Sequence, residues 1–147
     1  MYTVEWREKM VTSDKFMFFS SFKQSLTLSH YLLHVKHPRA RSDLARFRFG
    51  MLPLRARSLQ FNGNDLNEHA FCPFCDQAVE NELHVIFVCP MYSHLRDKYI
   101  PYKYAKKPVL HTPSILMAKT NPTLCTNVAL FVHHALMLRS NFLPQPT

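Results

Sequence analysis

Three of the four cysteines in this 147-residue chain lie within residues 72–90, and one histidine lies between the second and the third. The spacing is Cys72-x2-Cys75-x8-His84-x4-Cys89. A C-x2-C pair can place two thiolates on one side of a tight turn, and structural zinc sites take four Cys or His ligands at tetrahedral corners. The sequence therefore predicts one structural Zn²⁺ ion, held in a Cys3His site by these four residues.

The second half of this site requires a break in helical structure between His84 and Cys89. On a regular α-helix, two residues five apart differ by roughly 140° in azimuth and cannot share one ion. Pro90 disfavours the α region for the residue before it, so Cys89 is expected to leave the helix end and turn toward the metal. The acidic residues 80 and 82 are typical of a helix N-terminus. The neighbouring apolar residues are expected to pack the site against the core: Leu83, Val85, Ile86, Phe87 and Val88.

The tetrapeptide CPFC, residues 72–75, also allows a redox interpretation, because it resembles the active-site motif of glutaredoxins. That family places the pair at the start of a helix that follows a strand. Here a loop is expected before Cys72, and the acidic residues after Cys75 would raise a thiol pKa rather than lower it. A third interpretation is simple burial of the thiols in a core. Cys125, outside the cluster, is interpreted in that way.

Two helices have the clearest sequence signals. One is predicted over residues 38–49, because Pro38 suits a first helical position and Gly50 suits the left-handed position after a last turn. Its apolar face would be Ala40, Leu44, Phe47 and Met51. The other is predicted from Thr123 to Arg139, after an Asn-Pro start signal. Its apolar face would be Leu124, Val128, Phe131, Ala135 and Leu138. A further short helix is predicted over residues 54–59.

These signals together predict a mainly α fold: a small single domain of short helices around a Cys3His zinc-binding loop. We expect residues 1–37 to form a largely helical N-terminal extension. Residues 38–100 would form a basic helix plus the zinc-binding module, and residues 101–147 a linker and C-terminal helices that pack on the same core. Residues 61–71 and 101–111 are expected to be irregular.

The net charge of +8 is concentrated at the two ends of the chain. Residues 61–100 hold two basic and six acidic residues, whereas the segments on either side are strongly basic. Such basic flanks favour a polyanionic partner. The N-terminus does not resemble a signal peptide and no apolar run is long enough to span a bilayer, so we expect a nuclear or cytoplasmic protein that is not secreted and has no membrane partner.

The densest basic segment is the best candidate for a nucleic-acid interface. Its candidate phosphate-binding residues are Lys36, Arg39, Arg41, Arg46, Arg48, Arg55 and Arg57. Arg41, Arg46 and Arg48 are expected to face outward from the predicted helix and to contact backbone phosphates of RNA or DNA. Two alternatives remain open: a basic face that is merely solvated, and a zinc-stabilised surface for a protein partner. The His133-His134 pair is expected to lie on a helix face rather than to bind metal.

Three stretches of the chain resemble the C-terminal zinc-binding region of reverse transcriptases from non-LTR retrotransposons. They are RSDLARFRFGMLPLRAR at residues 41–57, CPFC…ENELHVIFVCP at residues 72–90, and MYSHLRDKYI at residues 91–100. The resemblance implies Cys72, Cys75, His84 and Cys89 as metal ligands and an association with element RNA or target DNA. It implies no polymerase activity, because the catalytic carboxylates of a polymerase domain have no counterpart in this sequence. The chain is therefore expected to be a non-enzymatic module or a retroelement remnant.

Overall fold

The computed structural model describes residues 4–6, 8–9, 17–20, 22–23, 27–56, 70–106, 116 and 121–143. The described part of the chain is mainly helical, as predicted, and contains the Cys3His cluster. Its α-helices are α1 (Met17–Ser20), α2 (His30–His34), α3 (Pro38–Arg48), α4 (Ser93–Tyr99), α5 (Tyr102–Ala105) and α6 (Pro122–Phe142). A π-helical turn spans His84–Val88, and a 3-10 turn spans Pro90–Tyr92.

Helix α3 begins and ends where local chemistry favours it. Pro38 occupies the first turn, and the His37 side chain accepts a hydrogen bond from the backbone N–H of Ala40. Gly50 has a positive φ of 65°, and its N–H donates to the Phe47 carbonyl in a Schellman-type ending. The predicted helix is confirmed. The prediction for Met51 is wrong: this side chain is exposed because the chain has left the helix at the glycine.

Helix α6 is the central element of the fold. It has 21 residues, and Asn121 caps it by accepting a hydrogen bond from the N–H of Leu124. Its predicted apolar face is confirmed, with Val128, Phe131 and Ala135 buried. Helices α2, α3 and α4 all pack against α6. The long helix therefore connects the N-terminal helices to the segment that follows the cysteine cluster.

The remaining predicted elements have mixed outcomes. Helices α1 and α2 confirm helical structure within residues 1–37. The expectation of an irregular segment at residues 101–111 is wrong in its first part, because α5 forms one helical turn that buries Ala105. Residues 55 and 56 are helical, but the rest of the helix predicted over 54–59 lies outside the described residues, as does most of the predicted loop at 61–71. In the described part of the chain, no helix has both the length and the apolar character that a membrane span requires.

Candidate metal centre

The four predicted ligands converge on one point. Their ligand atoms all lie within 4.8 Å of one another. The Sγ atoms of Cys72 and Cys89 are 3.7 Å apart, and Sγ of Cys75 is 3.4 Å from Nε2 of His84. A tetrahedral zinc ion separates two sulfur ligands by about 3.8 Å and a sulfur from a nitrogen by about 3.6 Å, given its usual bond lengths. The cluster thus has the size and the donor set of a Cys3His metal site.

A tight hairpin positions the first two cysteines. Phe71 and Val79 form an antiparallel bridge, and the N–H of Cys72 donates to the Ala78 carbonyl across it. The N–H of Asp76 then donates to the Cys72 carbonyl, which closes the turn around the two thiols. Asp76 has a φ of 53°, a left-handed conformation that Asp tolerates better than most residues. The hairpin aims both sulfurs at the same side.

A π-helical turn positions the other two ligands. Asn81 starts it by accepting a hydrogen bond from the N–H of His84 through Oδ1. The N–H of Cys89 donates to the His84 carbonyl over 2.8 Å, so a single i→i+5 hydrogen bond joins the two ligand residues themselves. Cys89 then leaves the helix with ψ of 123° before Pro90. The predicted departure of Cys89 from the helix end is confirmed. The π turn was not predicted from the sequence. It allows His84 and Cys89, five residues apart, to reach one ion, which a regular α-helix would not allow.

Arg96 holds the end of this π turn in place. It is buried on α4, and its guanidinium donates to three backbone carbonyls: Ile86 at 2.8 Å, Cys89 at 2.9 Å and Val85 at 3.3 Å. The last carbonyls of a helix have no partner within the helix, and leaving them buried and unpaired is costly. Arg96 therefore links α4 to the segment that carries His84 and Cys89. No local sequence pattern indicates this role of Arg96.

We expect Arg96→Met to destabilise the zinc-loaded protein by at least about 2 kcal/mol, since the buried carbonyls of Val85 and Ile86 would lose this donor at roughly 1–3 kcal/mol each, whereas the Cys89 carbonyl keeps the N–H of Tyr92. The zinc affinity of this variant should also fall, because Arg96 holds the π turn that positions His84 and Cys89. Urea unfolding of the zinc-loaded protein measures the effect. Lys98→Met removes an exposed cation from the same helix and should cost less than about 0.5 kcal/mol. Equal costs for the two variants would contradict the role of Arg96.

Burial shifts the pKa values of three candidate ligands in the metal-free protein: Cys72, His84 and Cys89. Burial raises the pKa of Cys72, and it raises the pKa of Cys89 to about 12. Burial also lowers the pKa of His84, which favours the neutral imidazole that metals bind. The Nδ1 atom of His84 is buried without a hydrogen-bond partner among the described residues, and Nε2 faces Cys75. A divalent cation would supply the positive charge that these buried thiols need in order to ionise.

Glu80 is a second residue whose importance the sequence analysis did not identify. Its sequence position is typical of a helix N-terminus, and its side chain is fully buried. Its carboxylate accepts two hydrogen bonds from Arg139 of α6, at 2.7 and 3.0 Å, and one from the N–H of Arg55 at 2.8 Å. Glu80 therefore joins the metal hairpin to the C-terminal helix and to the segment after α3.

The predicted burial of two apolar residues beside the candidate ligands, Leu83 and Val88, is wrong. Val85 and Ile86 are buried as expected, and Phe87 is partly buried. Leu83, directly before the π turn, and Val88, its last residue, are instead 42% and 56% exposed. Cys125 lies in the core on α6, apart from the metal cluster, which confirms its interpretation as a core thiol.

The outward orientation predicted for Arg48 is wrong. Its side chain is buried, and its guanidinium lies over the rings of Phe22 and Tyr31, each 4.7 Å from the ring centroid, and 5.8 Å from that of Phe19. It also donates to Oγ of Ser29. Such a cation enclosed by aromatic rings stabilises the packing of the N-terminal segment on α3. Arg48 is therefore removed from the candidate phosphate-binding residues.

The other candidate basic residues differ in exposure. Four are exposed, and we call them the basic surface: Lys36, Arg39, Arg46 and Arg55. Arg41 is partly buried and donates to the Val35 carbonyl. Arg46 forms an ion pair with Asp43, which also accepts a hydrogen bond from His133 of α6 at 2.7 Å. Arg57 lies outside the described residues. His133 thus lies on a helix face, as predicted, with Asp43 as its partner.

Comparisons of the chain with protein-family models, with curated proteins and with solved structures found no match.

Proposed function

We propose that this chain is a zinc-stabilised nucleic-acid-binding module without catalytic activity of its own. The convergence of Cys72, Cys75, His84 and Cys89 carries the zinc part of this proposal. Four protein ligands complete a tetrahedron and leave no open position for a substrate, which is the arrangement of structural rather than catalytic zinc. Zinc is favoured over other divalent metals because three thiolates and one imidazole form a soft, tetrahedral donor set.

The nucleic-acid part of the proposal is supported by charge and exposure. The basic surface presents four cationic side chains, and Asp43, the acid beside Arg46, is already engaged by Arg46 and His133. Cations of this kind bind phosphates with little sequence preference, and their binding weakens steeply with salt. The resemblance to the zinc-binding region of retroelement reverse transcriptases points to the same ligand class, with element RNA or target DNA as the partner.

Thiol chemistry counts against the redox alternative. A nucleophilic cysteine of the C-x2-C type needs a lowered pKa. Burial instead raises the pKa of Cys72, the first thiol of CPFC, and Phe71, directly before it, makes a single antiparallel bridge to Val79. We therefore propose no thiol–disulfide activity for this pair.

A zinc-stabilised protein-interaction module is the second candidate. It is favoured by the exposure of Leu83, directly before the π turn, and of Val88, its last residue, each next in sequence to a candidate metal ligand. Apolar contacts of this kind depend little on salt, whereas phosphate contacts depend on it strongly. Salt dependence of binding therefore separates the two candidates.

We expect the double variant Arg39→Ala/Arg46→Ala to bind single-stranded RNA and duplex DNA more weakly and to reduce the log–log salt slope by about two units, one for each lost phosphate contact. Titrations of zinc-loaded protein at several salt concentrations measure this slope. The matched control, Arg39→Lys/Arg46→Lys, keeps both charges and should retain most of the slope. If the alanine variant folds, keeps zinc and binds with an unchanged slope, the basic surface is only a solvated face.

A further inference from the structure

A second cationic surface, on α4 and α5, lies outside the segment predicted to bind nucleic acid. We call it the lysine–tyrosine surface, and its members are Lys98, Tyr102, Lys103 and Lys106, all of them exposed. Tyr102 is 72% exposed, more than any other large hydrophobic side chain in the described part of the chain. A single exposed ring is common on protein surfaces, but this ring shares its surface with three lysines and is accessible for stacking by a ligand.

Local packing fixes the arrangement of this surface. Ile100 and Ala105 are buried and anchor α4 and α5 to the core. Tyr102 and Lys106 are four residues apart across one helical turn, with the N–H of Lys106 donating to the Tyr102 carbonyl, so their side chains are neighbours. Nζ of Lys106 is 3.3 Å from the carboxylate of Asp97 on α4, which brings the exposed sides of the two helices together.

A row of partly exposed rings connects this surface to the basic surface. Tyr99 of α4 lies 5.5 Å from His134 of α6, His134 lies 5.6 Å from His133, and His133 lies 5.1 Å from His37 at the start of α3, each between ring centroids. His37 directly follows Lys36, a member of the basic surface. The two cationic surfaces are therefore connected across α6 by a row of rings, one of which, His133, is hydrogen-bonded to Asp43.

We propose that the lysine–tyrosine surface binds single-stranded nucleic acid, with an unpaired base stacked on Tyr102 and backbone phosphates bound by the lysines around it. The proposal rests on the nucleic-acid binding proposed above and specifies its ligand class. Exposed aromatic rings interleaved with cations are the usual means of binding single strands, because every base offers a flat face for stacking. A duplex keeps its bases stacked inside, so Tyr102 has nothing to stack on there.

The test compares affinities of the full-length, zinc-loaded protein for a labelled oligothymidylate of about 12 nucleotides, within the range of known single-strand sites, and for a duplex of the same length. Tyr102→Ala should weaken single-strand binding by between about 5-fold and about 150-fold, the range that loss of one stacked base produces. Tyr102→Phe keeps the ring and should bind as the wild type does. Neither change should alter duplex affinity.

The outcomes separate this proposal from the one on which it rests. If Tyr102→Ala leaves single-strand affinity unchanged while Arg39→Ala/Arg46→Ala weakens it, nucleic-acid binding stands and the stacking site is overturned. If wild-type protein binds neither oligonucleotide, both proposals fail. Vesicles of anionic phospholipid serve as a further probe: a loss of vesicle binding in Tyr102→Ala, with single-strand binding intact, would assign the surface to a membrane and overturn the proposal.

Discussion

The variant Cys89→Ser should lose zinc and most of its folded structure. Zinc binding contributes apparent free energies of about 10–16 kcal/mol in small structural sites, which equals or exceeds the whole stability of an ordinary domain at about 5–15 kcal/mol. Cys89 is fully buried directly after the π turn, and Cys125, the one cysteine outside the cluster, is not among the residues that converge there. A chelator should have the same effect on the wild-type protein.

The matched control is Cys125→Ser, which makes the same chemical change at a buried thiol on α6 that lies outside the cluster. A buried hydroxyl can cost roughly 1–3 kcal/mol, but the zinc should stay. Native mass spectrometry gives the zinc content of each variant, and circular dichroism gives the helical content. Equal zinc loss in both variants, or one zinc retained in Cys89→Ser, would contradict the ligand assignment.

Breaking the buried pair between Glu80 and Arg139 should have the second-largest effect. Removal of one partner of a buried ion pair typically costs about 3–5 kcal/mol, because the other charge stays buried without compensation. Arg139 is 12% exposed and Glu80 is fully buried, so solvent screens the pair little. Glu80→Ala also removes the acceptor for the N–H of Arg55. Urea unfolding of Glu80→Ala, Arg139→Ala and the double variant, all zinc-loaded, measures the coupling.

The same set of single and double variants of the surface pair Asp97 and Lys106 provides the comparison. Its side chains are 59% and 49% exposed, and exposed pairs of this kind contribute roughly 0–1 kcal/mol. The coupling of Glu80 with Arg139 should clearly exceed that of Asp97 with Lys106. Coupling energies of equal size would show that the Glu80 pair does not connect the metal hairpin to α6.

The parts of the fold that the sequence predicted correctly have strong local signals. Helices α3 and α6 combine an N-cap or proline start with apolar residues at helical spacing, and Gly50 marks the end of α3. The four residues that converge as candidate metal ligands were identified by residue type and spacing. In each case the deciding chemistry lies within a few neighbouring residues.

The parts that the sequence did not predict depend on contacts between distant segments. Arg139 is 59 residues from Glu80, and Arg48 is 19 residues from Ser29, so no local pattern marks these charged residues as buried. The π turn depends on the three carbonyl contacts of Arg96, which come from a separate helix. The prediction that Met51 lies on the buried face of α3 is wrong because the apolar spacing continues past Gly50, where the helix has already ended.

X-ray absorption spectroscopy at the zinc edge, on protein loaded with one equivalent of zinc, tests the central claim most directly. A site formed by Cys72, Cys75, His84 and Cys89 predicts three Zn–S distances of about 2.3 Å and one Zn–N distance of about 2.0–2.1 Å, without a bound water. A first coordination shell dominated by oxygen, or a shell with fewer than three sulfur atoms, would contradict it.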